Sequence, residues 1–466
     1  MLERIKIDKL VHGGQGLGTL ASGKRAFVWN ALPGEIVMAR VIRKKSGYVD
    51  AIAEEIITAS LDRLEPEEPD AYLSTSPWQI LSAQAEAKAK QDVLEELFKG
   101  EKLHVEWAPF AQLEKRYGYR NKMEYSFWWV PELKSEGYDI VESSGAQSEY
   151  LNTPTSASSL SPHHIPRLSS HVAGSVSLAL HRRGSHMKMP LAGSILASDA
   201  INSAGSKLIE FINIHKIQAR QLKSVILRSQ ANGTQSAVLY VLDKHIAEFP
   251  WSDLEIDIFA MYYSNPKSPA SVATELLYRK GDEYLVDEVA GKKYRYSPEG
   301  FFQINVPIYE HVLDEMKKWV PASSNIVDMY AGVGSIGMSL PYTRLTSVEL
   351  DASSSAQAYM NAGTDKKIEI VLSESEKALD FIVSDAVVVL DPPRAGLHKK
   401  VVEKLLETVP PRVIYLSCNP ATQARDIAMI LDGGSYKAVH AQGYNFFTAT
   451  PHIECLVVLE RISKSV

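Results

Sequence analysis

The first sixty positions alternate apolar and polar residues in short runs broken by Gly and Pro. RIKIDKLV, KRAFVWN, IVMARVIRKK and YVDAIAEEI read as strands. Turns lie at His12-Gly13-Gly14-Gln15-Gly16-Leu17-Gly18 and Ala31-Leu32-Pro33-Gly34-Glu35. Strands at this spacing predict a small all-β barrel over residues 1–60. The pattern is mixed over 61–290. Gln79 to Lys99 is rich in Ala, Glu, Lys and Leu with few breakers, and reads as a helix. MEYSFWWV reads as a strand by its aromatic content. KSVILRS and QSAVLYVL flank Asn232-Gly233, a strong hairpin signal. Residues 143–170 are rich in Ser, Thr and Pro and read as a mobile insertion. From 291 to 466, apolar runs (NIVDMY, TSVEL, KIEIVL, AVVVLDPP, RVIYLSC, CLVVLERI) alternate with helical stretches such as HKKVVEKLLETV and PATQARDIAMIL. That alternation predicts an α/β domain whose mostly parallel sheet is covered on both faces.

Composition narrows the class without choosing a chemistry. Of 466 residues, 45% are hydrophobic and 23% charged, which excludes fibrous and wholly disordered chains. No apolar run approaches the roughly 18 residues of a membrane span, and MLERIKIDKL does not read as a secretion signal. Two cysteines, Cys418 and Cys455, cannot build a disulfide framework or a four-thiolate metal site. A cytoplasmic, reduced protein with no metal ligands is the expectation. The net charge of −6 gives no general push toward nucleic acid, so any such contact rests on local patches. Residues 1–60 carry nine Lys/Arg against six Asp/Glu, and two further basic clusters run Lys115–Lys122 and His181–Lys188. Basic residues interleaved with tyrosines suit RNA, since phosphates take the charge and bases stack on rings. The alternative is a solvated charged face.

In a doubly covered parallel sheet, ligands bind at the C-terminal ends of the strands. The first such end reads Asp328-Met329-Tyr330-Ala331-Gly332-Val333-Gly334-Ser335, where glycines let a ligand approach the backbone. Gly332, Gly334 and Gly337 leave a nicotinamide reading open at this point. Glu349 ends the next strand, where a carboxylate accepts hydrogen bonds from a ribose diol; a helix N-terminal charge is the plainer reading. Asp391-Pro392-Pro393-Arg394 makes a rigid loop able to hold a flat base or a cofactor. Cys418, followed by Asn419-Pro420, stands where a helix N-terminus lowers a thiol pKa and favours the nucleophilic thiolate. Glu454 opens a strand that is otherwise apolar, a costly position for an idle carboxylate, whereas Cys455 reads as packing.

Six strings occur in one order: GFFQIN from Gly300 to Asn305, DMYAGVGS, VELD, DPPRAG, YLSCNPATQARD and HIE. Together they resemble the RNA uracil-5-methyltransferase family, which includes transfer-RNA T-loop and ribosomal-RNA enzymes. Tyr119-Arg120-Asn121-Lys122-Met123-Glu124 is similar to that family's central signature, and residues 1–60 resemble its RNA-binding TRAM barrel. The resemblance implies a Rossmann-like methyltransferase domain after a TRAM barrel and a mixed α+β RNA-binding domain. It implies S-adenosylmethionine contacts by Gln303, Tyr330, Glu349 and Asp391, with Cys418 as nucleophile and Glu454 as base. The expected reaction methylates carbon 5 of a uridine in tRNA or 23S rRNA through a cysteine adduct, by a monomer. Many TRAM-bearing members hold an iron–sulfur cluster on cysteines before a Pro-Trp-Gln-like string. Here Ser76 precedes Pro77-Trp78-Gln79 with no cysteine near, so no cluster is expected. Two rivals stay open: a methyltransferase for exocyclic amines or oxygens, which leaves Cys418 idle, and a non-catalytic RNA-binding or folding factor on the same scaffold.

Overall fold

The computed structural model describes residues 2–131, 174–185, 187–268 and 270–462. The expected insertion at 143–170, and His186 of the second basic cluster, lie outside these residues.

Alternation does build a barrel. Strands β1 (Leu2–Leu10), β2 (Gly16–Thr19), β3 (Arg25–Trp29), β4 (Ile36–Lys44) and β5 (Tyr48–Thr58) close in the order β1-β2-β3-β5-β4. Ile5 and Ile7 point inward to Ala26, Val28, Val37 and Ala51, while Arg4 and Lys6 face out. Closure leaves no open sheet edge. At its base the Glu35 carboxylate, 0% exposed, accepts from Leu32 N at 2.8 Å, Ser60 N at 3.1 Å, Arg63 Nε at 2.6 Å and Arg63 Nη2 at 2.8 Å.

Helix α1 (Ala83–Gly100) starts later than the composition predicts. Ser82 caps it, its hydroxyl accepting from Ala85 N at 3.2 Å, and Gln79–Leu81 form turns instead. The helix packs against the last domain: Val93, Leu94 and Phe98 share a core with Ala441, Cys455 and Val457. Residues 61–290 are therefore not one spatial unit, because the apolar stripe of α1 is buried elsewhere.

The central sheet comprises β6 (Lys122–Pro131), β7 (Gly174–His181), β8 (Lys188–Leu191), β9 (Leu222–Ser229), β10 (Gln235–Val241), β11 (Ile258–Tyr263) and β12 (Glu275–Lys280). Its order is β12-β11-β10-β9-β6-β7-β8. Helix α2 (Asp199–Ile214) covers one face, burying Ile201, Leu208 and Ile212 against Phe127, Leu178 and Leu227. The Asn232-Gly233 turn joins β9 to β10 in antiparallel register, with Ser229 opposite Gln235 and Gly233 at φ +89°.

The last domain begins before residue 291. The hairpin β13 (Leu285–Val289) and β14 (Lys292–Tyr296) straddles that expected boundary, and its Leu285, Val289, Tyr294 and Tyr296 share a core with Tyr309 and Val312 of helix α3 (Val306–Lys318). There follow β15 (Asn325–Met329), β16 (Arg344–Glu349), α4 (Ala352–Ala362), β17 (Ile368–Leu372), β18 (Ala386–Leu390), α5 (Lys399–Thr408), β19 (Arg412–Ser417), α6 (Pro420–Asp432), β20 (Tyr436–Tyr444) and β21 (Glu454–Arg461). The sheet order is β17-β16-β15-β18-β19-β21-β20, with β15 to β19 parallel and β21 antiparallel between β19 and β20. All five residues of β18 are buried, as a strand covered on both faces requires. Strand order reverses between β15 and β18, which opens a crevice over their C-terminal ends. No helix among the described residues is long and apolar enough to cross a membrane.

Candidate active site

Tyr330 and Asp391 follow β15 and β18 at the reversal point, and Glu349 ends β16 beside them. The turn after β15 is tight: Tyr330 has φ +66°, Gly332 +57° and Gly334 +84°. The Glu349 carboxylate braces it, accepting from Gly332 N at 2.7 Å and from Asp351 N at 2.7 Å. A Cβ on Gly332 would meet nothing within 4 Å, so the backbone there faces open space. Beneath the turn Asp328, fully buried, accepts from Gly337 N at 2.9 Å, and burial pushes its carboxyl up to about 7. Tyr330 packs its ring against the core that includes Leu397 and Val401. Gln303 reaches the region from the loop before α3, and its carbonyl accepts from Asn121 Nδ2 at 3.0 Å, which ties that loop to the central sheet.

Cys418 and Glu454 are brought together by strand register. Ser417 pairs with Cys455 across β19 and β21, so one step further along the antiparallel ladder Cys418 meets Glu454. Cys418 is half-buried and Glu454 buried. The Cys418 thiol pKa is raised on balance, against the sequence expectation. Burial, reinforced by the Glu454 and Asp391 carboxylates, pushes the thiol up to about 11, with Arg394 pulling it back. Glu454 is raised by burial and then by Asp391, again opposed by Arg394. Desolvation lifts Asp391 to about 7. One guanidinium thus acts on both the thiol and the Glu454 carboxyl. Cys455, 0% exposed, is core packing.

Arg394 is a functional residue that the sequence alone leaves without a role. Its loop is stitched to the start of α6: Asn419 Nδ2 donates to the Arg394 carbonyl at 2.8 Å and Leu397 N to buried Asp426 at 2.7 Å. A Cβ on Gly396 would lie 2.5 Å from the Asp426 carboxylate, so only glycine fits there. The signal is present in the succession of DPPRAG and SCNPATQARD, but which side chains join them is a three-dimensional fact. The same charge reaches further. His452 falls to about 4 through burial and the charges of Arg394, Arg120, Lys90 and Arg183, and His12 of the barrel is lowered by desolvation and Arg394. A positive field therefore sits over the crevice of an acidic chain.

The barrel and central sheet wall this crevice. Trp78, buried, donates from Nε1 to the Gly14 carbonyl at 3.0 Å, and a Cβ on Gly14 would lie 2.4 Å from Pro451 Cβ. Ser76 is buried and accepts from Gln79 Nε2 at 2.6 Å. Trp78 and the hydrogen bonds around Ser76 hold this segment. Arg183 stacks over Trp29 of the barrel at 4.0 Å. A cavity of about 300 Å³ beside the Gln303 loop is lined by Arg120, Lys122, Ser74, Thr75, Leu196 and Ile304, among others.

Residues 280–462 match the profile of the tRNA (uracil-5-)-methyltransferase family. Over nearly full length the chain resembles uncharacterized RNA methyltransferases of Thermotoga maritima (26% identity, 98% of this chain and 99% of the relative) and Caldanaerobacter subterraneus (28%, 98% and 98%). Its fold matches the Pyrococcus abyssi tRNA (uracil-54, C5)-methyltransferase solved with S-adenosyl-L-homocysteine, at TM-score 0.72 and 20% identity over 98% of this chain and 100% of that one. The profile, the full-length relatives and the five-stranded barrel point the same way: the chain is similar to RNA methyltransferases, and its residues 280–462 to the tRNA (uracil-5-)-methyltransferase family.

Proposed function

We propose that the protein transfers a methyl group from S-adenosylmethionine to carbon 5 of a uridine in tRNA or 23S rRNA, through a covalent Cys418 adduct. The observation that carries this reading is the adjacency of Cys418 and Glu454 beside Arg394 at the sheet's C-terminal edge. A methyltransferase for exocyclic amines, or a folding factor, has no use for that trio.

The residues present suit the cofactor. The open space over Gly332 admits a ligand against the backbone, the Glu349 oxygens retain lone pairs for a ribose diol, and Asp391 follows β18 at the reversal point; Gln303 is assigned to the cofactor by the family resemblance. Bound there, S-adenosylmethionine supplies an electrophilic methyl group. Carbon 5 of uracil is a weak nucleophile. Addition of the Cys418 sulfur to carbon 6 pushes the ring electrons onto carbon 5 and oxygen 4, which activates carbon 5. A thiol held near 11 is neutral at pH 7, so it gives its proton to water as the sulfur adds to carbon 6, and Arg394 stabilises the transient charge on sulfur before that charge passes to the ring. After methylation Glu454 removes the carbon 5 proton, the carbon 6–sulfur bond breaks, and the ring double bond returns. The base is the ionised form of Glu454, and burial, which disfavours the charge, raises its affinity for that proton. The target uridine must leave its stack to reach Cys418, and the positive field and the cavity beside Arg120 and Lys122 suit the flanking RNA.

The test is RNA containing 5-fluorouridine. Fluorine cannot leave as a cation, so the wild type should form an adduct that survives denaturing electrophoresis, and Cys418→Ala should form none. Absence of the adduct with wild type on both tRNA and 23S rRNA removes the covalent mechanism.

A further inference from the structure

Within α1, Glu86 and Lys90 lie one turn apart on the buried face, 1% and 0% exposed, with Nζ 2.9 Å from Oε1. A buried ion pair on a helix is a poor source of stability, because desolvating two charges offsets their attraction. This one has unusual partners. Lys90 Nζ donates to Asn445 Oδ1 at 2.7 Å and to the Phe447 carbonyl at 3.1 Å. Glu86 accepts from Asn445 Nδ2 at 3.1 Å and from Ala449 N at 3.0 Å with each oxygen. All of them belong to the loop between β20 and β21.

The neighbours of α1 grip the same loop. Trp78 N donates to the Ala449 carbonyl at 3.0 Å and Tyr119 OH to the Thr448 carbonyl at 3.2 Å, while Thr448 Oγ1 donates to the Arg116 carbonyl. Ala449 sits at φ +59°, a left-handed conformation that a residue with a Cβ adopts only when its surroundings impose it. Five residues on comes Glu454. The chain is thus bent at Ala449 against its preference, by a carboxylate that a buried lysine keeps in place.

We infer that Glu86 and Lys90 are positioning residues: through the 445–449 turn they fix Glu454 for proton removal from carbon 5. The inference rests on Glu454 being the base. It assigns the pair no part in adduct formation, which belongs to Cys418 on the β19 side.

The test is the double variant Glu86→Leu/Lys90→Met, which exchanges the ion pair for apolar side chains of similar volume; Arg116, whose Nη2 lies 3.6 Å from Glu86, loses that carboxylate and keeps its hydrogen bond to the Trp78 carbonyl. It should unfold cooperatively, bind S-adenosylmethionine and RNA with unchanged Kd, and trap 5-fluorouridine RNA at the wild-type rate. On ordinary RNA its turnover should fall at least about tenfold, with a methylated covalent complex accumulating on denaturing gels. Lys90→Arg, which keeps the charge, should release product faster than the double variant. A folded double variant with wild-type turnover and no accumulating complex overturns the inference. Should it fail to fold, Asn445→Ala removes the bridge while Glu86 and Lys90 stay paired; the same stalled complex is expected, and normal release overturns the role. Glu454→Gln run alongside separates the two claims. A stalled complex there but not in the α1 variants defeats the positioning role alone, and none in Glu454→Gln defeats the base assignment beneath it.

Discussion

Two buried glutamates make opposite use of one side chain. Glu35, at the base of the barrel, commits its carboxylate to four hydrogen bonds, two of them from Arg63. Glu454, at the head of β21, is also buried, yet no hydrogen bond to its side chain is found among the described residues. Its nearest charges are an acid that raises its pKa and a guanidinium that lowers it. A satisfied carboxylate holds chain segments together; an unsatisfied one stores the capacity to take a proton. Burial alone does not distinguish structure from chemistry, and the partner inventory does.

The contrast breaks most visibly in kinetics. Glu454→Gln should slow release by about 10²–10⁴-fold, the usual cost of losing a general base, and build a methylated adduct on ordinary RNA in single-turnover experiments. Label that migrates only with free RNA at wild-type rate takes Glu454 out of the mechanism. Glu35→Ala should do the reverse. It strands the Arg63 guanidinium, 14% exposed, and should cost about 3–5 kcal/mol in denaturant unfolding of the barrel. Single-turnover methylation per folded molecule should stay unchanged. A Glu35→Ala protein as stable as wild type would show the network to be ornamental.

The smallest effect lies in pH. The folded state holds a proton on Glu454 that the unfolded chain releases near 4.5, so its contribution to stability is full below that pH and is lost as pH rises through the folded pKa. Asp328 and Asp391, raised to about 7, act with the same sign; Asp391 interacts with Glu454 and is relieved along with it by the substitution. Glu454→Gln should therefore raise Tm relative to wild type more at pH 8 than at pH 5, each pKa unit being worth about 1.4 kcal/mol. An identical difference at both values would mean that Glu454 has no elevated pKa.

What can be read in the sequence is local. The barrel follows from alternation and turn residues, the sheet from apolar runs, and the Cys418 and Glu454 positions from strand ends. What cannot be read depends on distant pieces meeting. The composition of 79–99 announces a helix, but only the fold assigns α1 to the catalytic core, through Asn445, 355 residues from Lys90. The expected boundary at 291 cuts a hairpin, because such a turn resembles a linker until its strands pair. The Cys418 thiol runs opposite to expectation because the helix start is visible in sequence, whereas the burial that raises its pKa, and the two acids that add to it, are not.

The interior place of β21 has a consequence for how the enzyme comes into being. The strand is late in the chain, yet it fills the gap between β19 and β20. During synthesis, the barrel, the central sheet and the strand ends bearing Tyr330, Glu349 and Asp391 can all emerge from the ribosome while that slot is still empty. A nascent chain can therefore assemble the strand ends proposed to hold the cofactor early. It cannot complete the Cys418–Glu454 pair until the strand beginning at Glu454 has emerged and inserted, a long-range closure of the slow kind. Completion of the pair thus waits on one event, the insertion of β21.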